Sequence, residues 1–205
     1  MPAFPLKLVV GLGNPGPEYA RTRHNAGFWF VDALALKYGG TFRHEAKHQG
    51  DLARIRVGGE ELWLLKPMTY MNKSGASVRS VQSFYKLDTA STLVGHDEID
   101  LPVGTLRLKE GGGHGGHNGL RDLIATIGEG FWRLRFGVGH PGHRDAVIGH
   151  VLARASQEED RELTKLVNLA VDLLPELIEA GPQRVMHRLH TVGGPATGAL
   201  PGAAK

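Results

Sequence analysis

The 205-residue chain contains no cysteine, which excludes thiol nucleophiles, zinc ribbons, iron–sulfur clusters and disulfide frameworks together. Aromatic residues are sparse, at 7%. Long apolar runs are missing too. The first, Leu6 to Leu12, is too short to span a bilayer, and charge interrupts every longer stretch. The N-terminus lacks the basic, apolar and small-residue succession of a secretory leader. The expectation is a cytoplasmic protein with no membrane segment. No G-x-S-x-G string is present, so no serine elbow is expected.

What is present is ordinary for a globular protein: 41% hydrophobic and 22% charged residues. A chain of this length buries roughly 70% of its extended surface and needs no covalent staple. The net charge of +3 is unevenly spread. Residues 1–154 carry 19 basic and 14 acidic groups, whereas residues 155–205 carry 5 and 7. A basic body suits a polyanion such as nucleic acid, although ordinary surface scatter gives the same balance.

Leu6 to Leu12 reads as a buried strand stopped by Gly13, Asn14, Pro15 and Gly16. Phe28, Val31, Leu34, Ala35 and Tyr38 recur at helical spacing before Gly39–Gly40. Residues 53–57 and 62–65, joined by Gly58–Gly59, predict a hairpin. Further helices are predicted around Val78–Tyr85, Leu120–Ile127 and Leu163–Leu177, with strands at 92–95, 106–108 and 134–138. Strands alternating with helices give an α/β fold. The expectation is a single domain over 1–191, a mixed, mostly parallel twisted sheet with helices on both faces, and a disordered Gly/Pro/Ala tail over 192–205.

Two motifs invite other readings. Gly11-x-Gly13-x-x-Gly16 matches the dinucleotide fingerprint. However, Pro15 and Pro17 remove two backbone donors from the turn, and Asp32, the nearest acidic ribose partner, falls inside the helical pattern. His44-Glu45-Ala46-Lys47-His48 spells the zinc-protease signature H-E-x-x-H, which requires a helix. The nine residues between Gly40 and Gly50 carry no apolar stripe, so a polar edge segment is expected instead.

Four segments, 11–27, 66–75, 95–102 and 111–120, place polar residues at strand ends and helix starts. In an open α/β sheet such positions converge on one crevice. Together they supply the imidazoles His24 and His117, the carboxylate Asp97, the amides Asn14, Asn72 and Asn118, and the ammonium Lys109. Six glycines in the nine residues 111–119 let backbone N–H groups approach a ligand. An imidazole supported by a carboxylate can activate water against an ester. Each residue also has a plain structural reading: a locally bonded histidine, turn asparagines, an N-cap at Asn72 and a turn or cap at Ser74.

At these residues the sequence resembles the bacterial-type peptidyl-tRNA hydrolase family. The strings GLGNPGPEYARTRHNAGF, KPMTYMNKSG, HDEIDLPVG, LKEGGGHGGHNGL and LRFGVGHPG carry the resemblance from about Leu6 to Leu152. It implies a monomeric enzyme without metal or cofactor, hydrolysing the ester between a peptide and the 3′ end of tRNA. His24 would be the base, Asp97 its partner, and Asn14 would hold the peptide side. Asn72, Asn118 and His117 would meet the substrate, Tyr19 and Tyr70 would lie near the tRNA end, and Lys109 and Arg135 would grip the 5′-phosphate. The rival classes are an RNA-binding protein that has lost hydrolysis, a nicotinamide dehydrogenase and a metal-dependent hydrolase.

Overall fold

The computed structural model describes residues 2–192. Seven strands form one sheet: β1 (Leu8–Gly11), β2 (Arg43–Glu45), β3 (Gly50–Val57), β4 (Glu60–Pro67), β5 (Thr92–Glu98), β6 (Leu106–Glu110) and β7 (Trp132–Gly137), in the order β2-β3-β4-β1-β5-β7-β6. The helices are α1 (Ala26–Tyr38), α2 (Ser74–Tyr85), α3 (Asn118–Ile127), α4 (Val147–Val151), α5 (Gln157–Ala180) and α6 (Pro182–Val192). The parallel character expected of the sheet holds for the four central strands, β4-β1-β5-β7. The edge pairings β2–β3, β3–β4 and β6–β7 are antiparallel. Short turns produce β2–β3 and β3–β4, because a tight connection can only reverse the chain, whereas β7 comes to lie beside β6 only after the glycine loop and α3.

Alternation along β1 divides the core in two. Leu8, Val10 and Leu12 pack with Val78 and Val81 of α2 and Leu120 and Leu123 of α3. Val9 packs on the other face with Phe30 and Leu34 of α1, Leu166 and Leu174 of α5, and Leu189 of α6. Burial of each such side chain contributes about 1.5–3 kcal/mol. This two-sided burial explains why β1 reads as a continuous apolar run rather than an alternating one.

The predicted elements all occur. Gly39 closes α1 in the left-handed conformation at φ 70°. The sequence reading missed α4 and α6. The first has only five residues, and the second begins one residue after Gly181, which ends α5. Val192 closes α6, and the rest of the tail expected to be disordered lies outside the described residues. The H-E-x-x-H segment is the edge strand β2 followed by a short turn. His44 faces Asp51 (2.8 Å) while His48 faces Ser80 (2.7 Å), so the two imidazoles do not share a helix face. The glycine-rich turn after β1 does not run into a helix N-terminus, since α1 starts ten residues beyond Gly16. Asp32 lies on α1, paired with Lys66 (2.7 Å).

β1 leads through α1 toward β4 on one side of the sheet, and β4 leads through α2 back across β1 to β5. The strand order therefore reverses at β1, which opens a crevice beyond the carboxyl ends of β1 and β5. Glycine makes the crossing close. A Cβ on Gly27 would sit on the Gly95 carbonyl oxygen and the Leu12 backbone, and one on Gly11 would meet the Gly27 carbonyl. The start of α1 is thereby pressed onto the end of β5.

Candidate active site

His24 lies in the single 3-10 turn, residues 23–25, that leads into α1. The close approach of Gly27 to Gly95 brings it over Asp97, near the end of β5. His24 Nδ1 lies 2.9 and 3.0 Å from the two Asp97 carboxylate oxygens. A carboxylate only accepts, so Nδ1 carries the proton and Nε2 is left free as a base. Burial works against an imidazolium at His24, but the charge of Asp97 and the hydrogen bond to it prevail and hold its pKa above the ordinary value.

Asp97 has a second imidazole. His117 Nε2 lies 3.0 Å from Asp97 Oδ1, and its ring centre is 4.8 Å from that of His24. His117 is the N-cap of α3: its Nδ1 accepts from the N–H groups of Gly119 (3.1 Å) and Leu120 (3.3 Å). Nδ1 must then be unprotonated, and Nε2–H donates to Asp97. Burial holds His117 below its ordinary pKa, in keeping with this neutral form. Burial also pushes the Asp97 carboxyl up, but the two imidazoles outweigh it and keep the group ionised.

A cavity of about 430 Å³ opens over this group. Its polar floor includes His24, Asp97, His117 and Asn118, and its apolar wall is formed by Ile99, Val147, Ile148 and Val151. His24, Asp97 and His117 are also the cluster with metal-ligand chemistry among the described residues, their ligand atoms all within 4.8 Å of one another. Those atoms are joined by their own hydrogen bonds, and these account for the cluster.

Asn14 is 7% exposed and braced from two sides. Its N–H donates to Asn25 Oδ1 and its carbonyl accepts from Asn25 Nδ2, both at 2.9 Å. Its side-chain oxygen accepts from the Met71 N–H at 2.7 Å, so the group that Asn14 presents is the Nδ2 donor. Asn118 is the first residue of α3, and its oxygen accepts from Arg121 (3.2 Å). Asn72 is exposed in the turn before α2 and provides no cap there, while Ser74 bonds the Met71 carbonyl as a turn residue. Tyr70 is 61% exposed and Tyr19 half-buried, and neither lines the cavity.

Lys109 and Arg135 stand apart from the cavity on the antiparallel pair β6–β7. Lys109 lies opposite Arg133, and Arg107 opposite Arg135, so all four cations share one face of the sheet. Arg133 is buried and donates to the carbonyls of Gly112 and Gly113, anchoring the glycine loop. Arg135 Nη1 lies 3.7 Å from Glu98. Asn25, Arg133 and the buried His96, pushed down to about 3 chiefly by desolvation, were not recognised from sequence. The partners of Asn25 and Arg133 lie 11 to 21 residues away, His96 bonds the neighbouring Asp97 carbonyl within a buried strand, and no local pattern marks them.

A family model described as peptidyl-tRNA hydrolase matches residues 8–196. The chain is 53% identical over 185 residues to a peptidyl-tRNA hydrolase of Halorhodospira halophila (strain DSM 244 / SL1), covering 90% of this chain and 95% of that one. The chain belongs to the peptidyl-tRNA hydrolase family. A relative from Stenotrophomonas maltophilia (strain K279a) is 51% identical over 187 residues, covering 91% and 97%. The crystal structure of peptidyl-tRNA hydrolase from Acinetobacter baumannii superposes with a TM-score of 0.87 at 47% identity, covering 90% of this chain and 94% of that one. As a member of this family the chain is a hydrolase, and the mixed α/β sheet is the fold of its relatives.

Proposed function

We propose that the protein hydrolyses the ester joining a peptide, or an N-blocked amino acid, to the 3′ end of tRNA, with His24 as the general base. The observation that carries this reading is the His24–Asp97 pair at the floor of the cavity, with Nδ1 on the carboxylate and Nε2 left for water. Water bound at Nε2 attacks the ester carbonyl carbon and passes its proton to the ring. The tetrahedral intermediate collapses, and the imidazolium returns that proton to the departing ribose oxygen. The products are a free peptide and free tRNA. Asp97 orients the ring and favours the transient imidazolium. His117 keeps Asp97 in place with its one N–H, and its role is support of the carboxylate rather than contact with substrate. Asn14 Nδ2 and the Asn118 amide, together with N–H groups of the glycine loop, are the donors available to the substrate carbonyl and the developing oxyanion.

The tRNA lies against the basic β6–β7 strand pair, with Lys109 and Arg135 taking a terminal phosphate and Tyr19, Tyr70 and Asn72 on the rim nearest the acceptor end. All groups in this scheme come from one chain, so a monomer suffices. Translation in the cytoplasm supplies the substrate. Among the described residues no helix is long and apolar enough to cross a membrane.

The test is hydrolysis of N-acetyl-aminoacyl-tRNA and of free aminoacyl-tRNA, by the unaltered protein and by His24→Ala, with chelator present. Cleavage of the blocked ester alone is expected, with a loss of about 10²–10⁴ in rate for the variant. Binding of tRNA without cleavage of either ester would refute the assignment and favour a protein that only binds RNA.

A further inference from the structure

Arg23 directly precedes His24 and is only 9% exposed, yet no role in the chemistry falls to it. Its guanidinium is fully engaged on the far side. Nη1 donates to the His150 carbonyl (3.0 Å), with those of Arg154 (3.4 Å) and Ala153 (3.5 Å) also in reach. Nε and Nη2 donate to the two oxygens of Glu159 at 3.3 and 2.7 Å. The backbone follows the same path: Arg23 N–H donates to the Ala153 carbonyl (3.2 Å), and Thr22 bridges Arg154. Glu159 in turn closes the capping box of α5 with Ser156. Burial disfavours its charge, but the hydrogen bonds from Arg23 and Ser156 bring its carboxyl down to about 2.

These contacts hold α4. Five residues are far too few for a helix to form and stay in place by itself. The Arg23 guanidinium takes the His150 carbonyl in its last turn, where the helix dipole favours a cation, and the Ala153 and Arg154 carbonyls just beyond it. α4 is fixed at a second point, where His150 Nε2 meets the Val138 carbonyl (3.0 Å) just after β7. Between the two, Val147, Ile148 and Val151 form the apolar wall of the cavity, with Ile148 66% exposed to it and to solvent. The turn that carries the base is thus the same piece of chain that sets where this wall stands.

We propose that Arg23 and Glu159 are positioning residues that hold α4 as the wall against which the acyl part of the substrate packs. The proposal rests on reading the cavity as the ester site. Neither residue touches substrate. Their effect is on substrates whose acyl group reaches α4, and it is small on those whose acyl group is too short to do so.

The test compares N-acetylglycyl-tRNA with an N-acetylated tripeptidyl-tRNA bearing apolar side chains. The proteins are the unaltered chain, Arg23→Lys, Glu159→Gln and Arg21→Ala. The last breaks the neighbouring Arg21–Asp160 pair (2.8 Å), which does not touch α4, and serves as control. Arg23→Lys and Glu159→Gln are expected to raise KM for the tripeptidyl ester roughly five- to tenfold, with kcat little changed. On the glycyl ester both variants stay within about twofold, and Arg21→Ala changes neither substrate. Equal losses on both esters, following the fall in melting temperature, would reduce the pair to a structural brace and overturn the proposal. Failure of the unaltered protein on both esters would instead remove the functional reading on which it rests.

Discussion

His24 depends on residues 73 and 93 positions away, and the order of dependence runs inward from a helix end. The first free N–H groups of α3 fix the tautomer of His117, His117 donates to Asp97, and Asp97 accepts from His24. Each step leaves one choice for the next, so that the free lone pair is on His24 Nε2. The side-chain oxygen of Asn14 would suit the N–H of an acylated nitrogen. That oxygen already accepts from Met71, because the brace with Asn25 turns it inward. The remaining Nδ2 donor makes the same discrimination by another route: it suits a carbonyl oxygen and repels an ammonium. Asn14→Asp keeps an oxygen for Met71 and replaces the donor with negative charge. It should cut hydrolysis of the blocked ester about tenfold or more, the worth of one well-placed hydrogen bond, while tightening binding of free aminoacyl-tRNA. Parallel rate and binding assays on the two esters check both.

At the scale of elements, the antiparallel β6–β7 pair stands out. Like charges directly opposite on a ladder are unfavourable, and here Arg107 faces Arg135 while Lys109 faces Arg133. Arg133 is compensated by the glycine-loop carbonyls and Arg107 by the Leu189 carbonyl (3.1 Å). Arg135 has Glu98 at 3.7 Å, a carboxyl that burial raises despite that neighbour, and Lys109 is exposed. A bound phosphate would relieve the repulsion that remains. Lys109→Ala and Arg135→Ala should each flatten the log–log salt dependence of tRNA binding by about one unit, as the loss of one phosphate contact does. Filter binding over a range of salt concentrations reads this directly, and unchanged slopes in both would remove the tRNA end from this strand pair. The glycine loop links the strand pair and the cavity, because Arg133 anchors one end of it and the His117 cap the other.

At the scale of the molecule, what was legible in the sequence was what is local or periodic. The run at Leu6–Leu12, the 3.6-residue spacing of α1 and α5 and the Gly58–Gly59 hairpin each follow from burial and turn chemistry. The convergence of His24, Asp97 and Asn118 followed from placing polar residues at strand ends in an open sheet. The antiparallel pairing of β6 with β7, the five-residue α4 and the Arg23–Glu159 pair were not legible, since each depends on contacts between distant segments and none leaves a periodic trace. Asp97 beside His24 is the feature on which fold, site and chemistry all meet. The measurement that tests it most directly is the pH dependence of kcat/KM on a blocked aminoacyl-tRNA for the unaltered protein and for Asp97→Asn. Activity requires unprotonated His24, so the rate falls on the acid side with a midpoint at its pKa in the free enzyme. With the carboxylate present that midpoint should lie above the ordinary imidazole value of about 6.5. With asparagine in its place only burial acts on the ring, and the midpoint should move below that value as the rate drops on the order of 10³-fold. An acid limb at the same pH in both proteins would contradict the His24–Asp97 account.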